Sequence, residues 1–389
     1  MIKHITIISN GEIIPEIGDK GRPTRSSIFA SYLSDNNYKV KFITNKFNLF
    51  EKKNRKKIKK QTNIEYILIS SIGYNKNVSI RRVIDHIIIS IKIFFHLLFT
   101  KNELIICSFP TLSNVIACHF VSIFKKLNLV IDVRDLWPEI FKTYFKKNFI
   151  LDILIKINYR IKKKIFKKHN IVAISNSYAN IIKKTVAKNI EIPIFPLGSI
   201  TFKNPIKKSE NKDVIFWFLG SMGKTYDLKH LIKTTNEIKS KNIKFIISGN
   251  GASFDEIKKM SKNKNVIFTG WCDLKKIKYY GHIADIGIMP YTNFSTQDLP
   301  NKIFDYFSFS LPVLTNINKG DCLKIIKEDK GWIYDSKKKD SLRNKILEIS
   351  GNKAKIRYFS KNTKYYFDKN FSSLIIYRKF LNYLNRFIY

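Results

Sequence analysis

Short apolar segments alternate with helix-like segments along the chain, and this alternation is the strongest constraint on its fold. The predicted strands of the first series are residues 2–8, 38–43, 64–70, 104–108, 129–133 and 171–174. Those of the second series are residues 214–219, 245–248, 266–269, 286–289 and 313–315. Strands that alternate with helices form parallel sheets covered on both faces. The sequence therefore predicts an α/β protein with two doubly wound domains.

A break rich in proline and charge separates the two series. Prolines at 193, 196 and 205 and a glycine at 198 precede the charged run 207–213. We expect an N-terminal domain over residues 1–198 and a C-terminal domain over residues 199–369, since 389 residues suffice for two cores. In such sheets ligands bind beyond the carboxyl ends of the strands, so residues that follow the strands are the first candidates for a site.

The chain carries 71 Lys and Arg residues against 30 Asp and Glu, a formal net charge of +41. The excess is spread along both halves and consists mostly of lysine. A nucleic-acid-binding protein more often concentrates arginine and lysine on one face, so we expect no nucleic-acid partner. Two explanations remain: a compositional bias of the coding sequence, and attraction to an anionic membrane or a phosphate-bearing substrate.

Two segments are candidates for membrane contact. Residues 83–99 are apolar, but they are interrupted by Asp85, His86, Lys92 and His96 and are shorter than a span requires, so a buried or interfacial helix is predicted. Residues 149–169 repeat isoleucine every four positions among lysines. This pattern predicts a basic amphipathic helix that lies either on anionic lipid or in solvent.

The four cysteines are isolated in the sequence, with no neighbouring histidine cluster. This spacing predicts free thiols, no structural zinc site and a reducing cytoplasm. The apolar run at the N-terminus is too short for a secretory signal.

The most specific segment is D-L-P-N-K-I-F-D-Y-F-S-F-S-L-P-V, residues 298–313. Pro300 fits a helix start, whose unbonded amides suit a diphosphate. The segment resembles the donor-binding pattern P-x-K-[IVL]-x-E-Y-x-A-x-G-x-P-V of family 4 glycosyltransferases. The resemblance implies that Asp305, about one turn after Pro300, accepts hydrogen bonds from two ribose hydroxyls. Asp305 stands where that family usually has Glu, and Ser310 stands where it has Gly.

This resemblance implies the GT-B fold, in which two Rossmann-like domains face each other across a cleft. It also implies a nucleotide-diphosphate sugar as donor. The residues of this segment implied to bind the donor are Leu299, Pro300, Asn301, Lys302 and Asp305. A terminal helix, about residues 370–389, is expected to cross back onto the first domain.

The first strand of the second series ends in a glycine turn that agrees with the resemblance. In F-L-G-S-M-G-K, Gly220 and Gly223 allow the backbone to approach a diphosphate. Many family members carry an arginine and a lysine here for the phosphates. This chain has Ser221 and Tyr226 at those places, and Lys224 is the candidate replacement cation.

The next two strands of this series also end in glycine. S-G-N-G places Gly249 at the end of one strand, and V-I-F-T-G-W places Trp271 after the next. In the family the residues after this second turn flank the nucleobase, so Trp271 is expected either to stack on the base or to pack at the strand end.

In the first series, I-D-V-R-D-L-W-P-E, residues 131–139, resembles the V-R-D-L-W-P-E segment of bacterial family 4 enzymes that build surface polysaccharides. Arg134 is a candidate to hold a donor or acceptor phosphate, and Asp135 to orient an acceptor hydroxyl. The alternative is a structural Arg–Asp pair. Residues 18–26 resemble the family's N-terminal glycine loop, in which Gly21 with Arg22 or Arg25 would meet the phosphates.

These matches together predict a retaining glycosyltransferase that needs neither a metal nor another cofactor. It would move a sugar, with UDP as the expected carrier, to a lipid-linked saccharide or similar acceptor in cell-surface polysaccharide synthesis, such as O-antigen, lipopolysaccharide or capsule. We expect it in the cytoplasm, peripheral on the inner membrane surface. The alternatives are a GT-B sugar-nucleotide epimerase and a non-enzymatic basic protein that binds membrane or nucleic acid.

Overall fold

Two six-stranded parallel sheets organise the chain in its computed structural model. The structure describes residues 4–19, 23–55, 63–76, 79–135, 149–186, 190–202, 213–292 and 299–387. Contacts divide the chain into a first unit, residues 1–196 with 376–389, and a second unit, residues 197–375. The predicted α/β class with two doubly wound sheets is confirmed.

The first unit has the strand order β5-β2-β1-β6-β7-β8, with a separate hairpin of β3 and β4. Its strands are β1 (His4–Ile8), β2 (Lys39–Asn45), β3 (Phe47–Asn48), β4 (Lys53–Asn54), β5 (Ile64–Ile69), β6 (Leu104–Phe109), β7 (Asn128–Val133) and β8 (Asn170–Ala173). Its helices are α1 (Arg25–Asp35), α2 (Ile80–Phe99), α3 (Leu112–Phe124), α4 (Phe149–Phe166) and α5 (Asn176–Val186), with a 3-10 turn at Pro15–Ile17.

Alternating side chains of this sheet build two cores. On β6, Ile105 and Cys107 face helices α2 to α5, whereas Leu104 and Ile106 face α1. Because both faces of the sheet are buried, the sequences of the strands are largely continuous apolar runs. Strand order reverses between β1 and β6, so this is the edge at which α/β sheets bind ligands.

Helix α1 begins at Arg25, directly after the first loop. Thr24 occupies its N-cap position, and Ser26 and Ser27 lie inside the helix. The Thr24 hydroxyl does not cap the helix, since it donates to Glu12 and accepts from the Ile13 amide.

The second unit repeats the arrangement with the order β11-β10-β9-β12-β13-β14. Its strands are β9 (Val214–Leu219), β10 (Ile243–Ser248), β11 (Val266–Gly270), β12 (Ile286–Met289), β13 (Val313–Thr315) and β14 (Gly331–Ile333). Its helices are α6 (Leu228–Glu237), α7 (Phe254–Met260), α8 (Leu274–Ile283), α9 (Asn301–Ser308), α10 (Gly320–Lys327), α11 (Ser341–Ser350) and α12 (Lys353–Tyr366). Strand β14 was not among the predicted strands.

The end of the chain returns to the first unit. After a π-helical turn at Phe367–Phe371, α13 (Ser373–Leu384) leads to a 3-10 turn at Asn385–Phe387. The Phe380 ring stacks on Phe29 of α1 at 4.7 Å and on Phe195 at 4.6 Å. The Tyr377 hydroxyl donates to the Arg25 carbonyl at 3.2 Å. The terminal helix therefore covers the α1 side of the first sheet.

Two smaller predictions can be compared with the structure. The four cysteines are buried free thiols, as predicted. Among the helices that the structure describes, none has the length and apolarity to cross a bilayer.

Candidate functional site

The turns that follow β9 and β10 are hydrogen-bonded to each other at the carboxyl edge of the second sheet. The Gly220 amide donates to the Ser248 carbonyl at 2.9 Å, and the Met222 amide donates to Asn250 at 2.9 Å. Gly249 has φ +134°, and a Cβ there would collide with the Gly220 carbonyl. Only glycine permits this approach, so the two predicted glycines lie side by side.

The loop after Gly220 is open on its outer side. A Cβ on Gly223 would meet no heavy atom within 4 Å, and Ser221 and Lys224 are exposed. The Thr292 hydroxyl donates to the Lys224 carbonyl at 3.2 Å, which fixes the end of the loop. Space for a ligand and an exposed ammonium group therefore meet beside the glycine turn.

Lys302 reaches this turn from α9. Pro300 occupies the N-cap position of α9, as expected of a helix start. The Lys302 ammonium donates to the Leu219 carbonyl, and a Cβ on Gly220 would lie 2.7 Å from its Cε. The missing side chain at Gly220 thus gives the ammonium its position at the end of β9.

Two aromatic rings hold the same ammonium. Lys302 Nζ lies 4.9 Å from the ring centre of Tyr226 and 5.5 Å from that of Phe218. The Tyr226 hydroxyl lies 3.3 Å from the Tyr291 hydroxyl, and burial raises the pKa of Tyr226 to about 12. Tyr226, at a place where the family often has lysine, is therefore neutral and supports a cation through its ring face.

Tyr306 fixes α9 against the sheet. Its buried hydroxyl donates to the Ile288 carbonyl at 3.1 Å and accepts from the Leu219 amide at 3.0 Å. A Cβ on Gly287 would collide with its ring. Asp305, the preceding residue, is half-buried on the same helix. The sequence motif identified Asp305 but not the role of its neighbour.

Ser310 shows why the family pattern has glycine at this place. Its φ is +61°, a left-handed conformation that L-residues adopt at a cost. Its amide donates to the Phe307 carbonyl at 2.9 Å, and the Leu311 amide donates to the Tyr306 carbonyl at 2.9 Å. These two bonds terminate α9 before the chain enters β13.

The other predicted donor residues have different environments. Leu299 is half-buried against the core, whereas Asn301 is exposed at the first position of α9. Trp271 follows Gly270 at the end of β11 and is 57% exposed. Its indole is thus not packed in the core.

In the first unit, Arg134 belongs to an ion network at the end of β7. Its Nε donates to Asp132 at 2.8 Å, its Nη1 to Glu12 at 2.6 Å and its Nη2 to the Ser26 hydroxyl at 2.6 Å. Burial would lower the pKa of Arg134, but the two carboxylates raise it above its usual value. The arginine is therefore permanently charged, and its side chain is 16% exposed.

Arg25 completes the network from α1. Its guanidinium donates to both carboxylate oxygens of Asp132, at 3.0 and 3.3 Å, and to the carbonyls of Phe195 and Pro196. Burial alone would raise the pKa of Asp132. The positive charges and hydrogen bonds of Arg25 and Arg134 outweigh burial, so this pKa lies below its usual value. The expectation that Arg25 meets a phosphate is wrong, because all its nitrogens bond inside the unit.

Glu12, which the sequence analysis did not identify, connects this network to the first loop. Its carboxylate accepts from Ser9 at 2.7 Å and from Thr24. Its carbonyl accepts from Arg55 at 2.6 Å, and Arg55 also forms a buried ion pair with Asp19 at 2.8 Å. Two arginines thereby anchor the part of the loop that the structure describes.

Some predicted residues lie outside this description. Gly21, Arg22 and residues 136–139 are not among the described residues. Asp135 is described and is partly exposed just after Arg134. Among the described residues, no three His, Cys, Asp or Glu side chains are grouped so as to hold a metal ion.

Comparison with known proteins shows a partial family match and a shared fold. Residues 199–365 match the family model described as Glycosyl transferases group 1. Solved structures with similar folds include a sucrose-phosphate synthase from Thermosynechococcus elongatus, with TM-score 0.76, 11% identity and 99% of both chains covered. Anabaena HepE in complex with UDP gives TM-score 0.70 with 13% identity over 99% of this chain and all of that one. WaaG, a glycosyltransferase involved in lipopolysaccharide biosynthesis, gives TM-score 0.67 with 13% identity over 96% and 98%.

Two curated relatives match parts of the sequence. A chitobiosyldiphosphodolichol beta-mannosyltransferase of Dictyostelium discoideum is 30% identical over 103 residues, 23% of this chain and 21% of the relative. TuaH of Bacillus subtilis, named for teichuronic acid biosynthesis, is 22% identical over 230 residues, 55% of each protein. The chain thus spans about half or less of the curated relatives it matches. Residues 199–365 thus resemble the glycosyl transferase group 1 family, and the two sheets have the GT-B fold of the similar solved structures.

Proposed function

We propose that the chain transfers a sugar from a nucleotide-diphosphate sugar, with UDP as the carrier, to a lipid-linked saccharide or similar acceptor. The observation that carries this proposal is the Lys302 ammonium beside Gly220, at the carboxyl edge where β9 and β10 end. A cation, a turn that begins and ends in glycine, and a helix start in one place suit a diphosphate.

In this proposal the second unit binds the donor. Lys302 and the amides of the Gly220–Gly223 turn stabilise the negative charge that develops on the leaving diphosphate. Asp305 accepts hydrogen bonds from the ribose, and the exposed indole of Trp271 stacks on the base. These groups supply charge stabilisation without a metal ion or a covalent nucleophile. Transfer is proposed to retain the anomeric configuration.

The first unit is proposed to position the acceptor. Arg134 is held rigidly by Asp132 and Glu12, so it presents a fixed positive charge next to Asp135. We assign Arg134 as a positioning residue and Asp135 as the group that orients the acceptor hydroxyl. Lys224 and, outside the described residues, Arg22 are further candidates for phosphate contact.

The choice of acceptor rests on relatives and on charge. HepE was crystallised with UDP and with UDP-glucose, and WaaG and TuaH are named for cell-surface polymers. The basic helix α4 belongs to the first unit and carries exposed Lys156, Arg160 and Lys164. These features support a carrier lipid at the inner membrane surface as the source of the acceptor, and hence synthesis of a surface polysaccharide.

The test is incubation of the full chain with a panel of labelled UDP-sugars, with and without polyprenyl-diphosphate-linked acceptors. UDP release that requires acceptor, with a matching mass increase of the acceptor, is the expected result. Interconversion of donor sugars without acceptor would instead establish an epimerase. Failure to bind any nucleotide sugar in calorimetry would overturn the proposal.

A further inference from the structure

Helix α2 has an apolar stripe on its outer side that no described part of the chain covers. Six residues spaced three or four apart are 46–81% exposed: Ile80, Ile84, Ile87, Ile91, Phe95 and Phe99. This spacing places them on one side of a helix. The inner side carries Ile89, Ile93 and Leu97, which are fully buried in the core. The helix is therefore apolar on both sides, although packing in the first unit explains only one.

The neighbouring helices extend this surface. Helices α2 and α3 pack together, and α3 in turn packs against α4. Large apolar side chains 39–80% exposed on α3 and α4 are Phe120, Ile123, Phe124, Phe149, Ile153, Leu154 and Ile157. We call the exposed apolar side chains of α2, α3 and α4 the outer face. By contrast, α1 on the other side of the same sheet exposes no large apolar side chain along its eleven residues.

Many large exposed apolar side chains on three helices that pack in succession, α2 on α3 and α3 on α4, are uncommon on a protein that meets only water. Such a surface marks a partner, and its charge identifies the kind of partner. Residues 79–127 contain six Lys or Arg and two acidic residues. One of the acids, Asp85, is fully buried and accepts from the Gly73 amide at 2.9 Å. The charges around α2 and α3 are thus almost all positive.

Helix α4 adds to this charge. Lys156, Arg160 and Lys164 are exposed among its apolar residues, and Asp152 is its single acid. Apolar side chains surrounded by cations fit the boundary of an anionic bilayer, where acyl chains lie below a layer of phosphates. A second copy of the chain would bring the same positive charges together, which opposes self-association.

We propose that the outer face inserts into the surface of an anionic lipid bilayer, with α2 lying in the plane of the interface. Twenty residues of α2 give it a length of about 30 Å along the membrane. The lysines of α4 would meet the lipid phosphates, while isoleucines and phenylalanines of α2 and α3 enter the acyl boundary. The inference rests on the proposed function only in that it names the surface that would approach a lipid-linked acceptor.

The experiment is flotation of the full chain with vesicles of phosphatidylglycerol and phosphatidylcholine, compared with phosphatidylcholine alone. The triple variant Ile87→Ser, Ile91→Ser, Phe95→Ser should lower partitioning into anionic vesicles about tenfold. Its matched control changes three equally exposed apolar residues of the second unit, Ile267→Ser, Leu347→Ser and Tyr358→Ser, and should partition like the parent. Circular dichroism verifies that both variants are folded, and the three single variants replace the triple one if it is not.

A second measurement reports insertion directly. Because the four native cysteines are buried, Phe95→Cys can be labelled selectively with an environment-sensitive dye. Its emission should shift to the blue with anionic vesicles and be quenched by brominated lipid, whereas a label at Leu347→Cys should show neither effect. Salt should weaken binding of the parent only in part, because the apolar contribution persists.

Three outcomes would overturn the inference: no flotation of the parent chain, equal flotation of the triple variant, or a dimer in sedimentation that the triple variant abolishes. Its failure is separable from failure of the proposed function. The triple variant should keep UDP affinity and turnover on a water-soluble acceptor. A chain that floats with anionic vesicles but uses no nucleotide sugar would contradict the proposed glycosyl transfer and still support membrane binding by the outer face.

Discussion

The ammonium of Lys302 occupies the space that a side chain at Gly220 would fill. The two residues belong to different elements, the start of α9 and the end of β9, and the Lys302 ammonium bonds the Leu219 carbonyl between them. Gly220 does not have a positive φ, so the backbone of the turn does not itself need glycine. Glycine is needed at this position because any side chain would displace the Lys302 ammonium.

Replacing Gly220 by alanine should therefore weaken donor binding without unfolding the domain. A methyl group at this position displaces the flexible end of Lys302, and loss of one charged hydrogen bond to phosphate costs about tenfold in affinity. Calorimetric titration with UDP measures the effect. Gly351→Ala is the control, because its Cβ would meet nothing closer than 3.6 Å. Equal UDP affinity in parent and Gly220→Ala would contradict this role of Lys302.

Asp305 provides the second test of the donor site. Asp305→Ala should weaken UDP-sugar binding about tenfold or more, because the ribose hydroxyls lose a charged acceptor. Asp305→Glu, which restores the family's usual residue, should keep the affinity. Asp255→Ala removes an exposed carboxylate at the start of α7 and should change nothing. If Asp305→Ala bound the donor as tightly as the parent, the assignment of this segment would be wrong.

The outcome at these residues shows what the sequence could predict. Gly220, Gly249 and Pro300 were identifiable because strand ends, glycine turns and helix starts are local patterns in the chain. The same patterns predicted two doubly wound sheets. They also predicted that α4 is amphipathic, since its isoleucines recur every four residues within a single helix.

The residues that sequence reasoning missed act over long separations. Glu12 meets Arg134 across 122 positions, and Arg25 meets Asp132 across 107. Nothing in the local sequence of either arginine distinguishes a buried ion pair from an exposed phosphate ligand. Tyr226 was likewise read as a missing cation, because only the folded sheet places its ring under Lys302.

The ion network of the first unit makes Arg134 a structural residue as well as a positioning one. Arg134→Met would leave Asp132 and Glu12 buried without this partner, and breaking such a pair costs about 3–5 kcal/mol. The free energy of unfolding, measured with urea, should therefore be lower in Arg134→Met than in the parent by about this amount. Lys364→Met, which breaks an exposed pair with Asp368, should change stability by less than about 0.5 kcal/mol. Similar stability losses in the two variants would show that the network is not buried as described.

Acidification should destabilise the first unit through a histidine pair. His119 Nδ1 lies 2.7 Å from His169 Nε2, a hydrogen bond that needs one of these nitrogens unprotonated. Burial, then His119 and Lys168, lower the pKa of His169 to about 4. Above about pH 6.5 neither the folded nor the unfolded chain protonates this residue. Between that pH and about 4 only the unfolded chain takes up the proton, so stability falls as pH decreases.

Partial exposure limits this contribution to about 2 kcal/mol. Urea unfolding at a series of pH values measures it, and His169→Asn should flatten the profile in this range. His86, whose pKa burial also lowers to about 4, contributes in the same direction and remains in that variant. A profile that His169→Asn leaves unchanged would exclude the pair as its source.

The end of α9 offers a prediction in the stabilising direction. Ser310 has φ +61°, and an L-residue in this conformation costs about 1–2 kcal/mol that glycine avoids. Glycine loses more backbone entropy on folding, by roughly 0.5–1 kcal/mol, so Ser310→Gly should stabilise the second unit by about 0.5–1 kcal/mol. Ser310→Ala keeps the strained conformation and should give no such gain. Thermal unfolding of the three proteins compares them directly. If Ser310→Gly were no more stable than Ser310→Ala, backbone strain would not explain the glycine that the family pattern carries at this position.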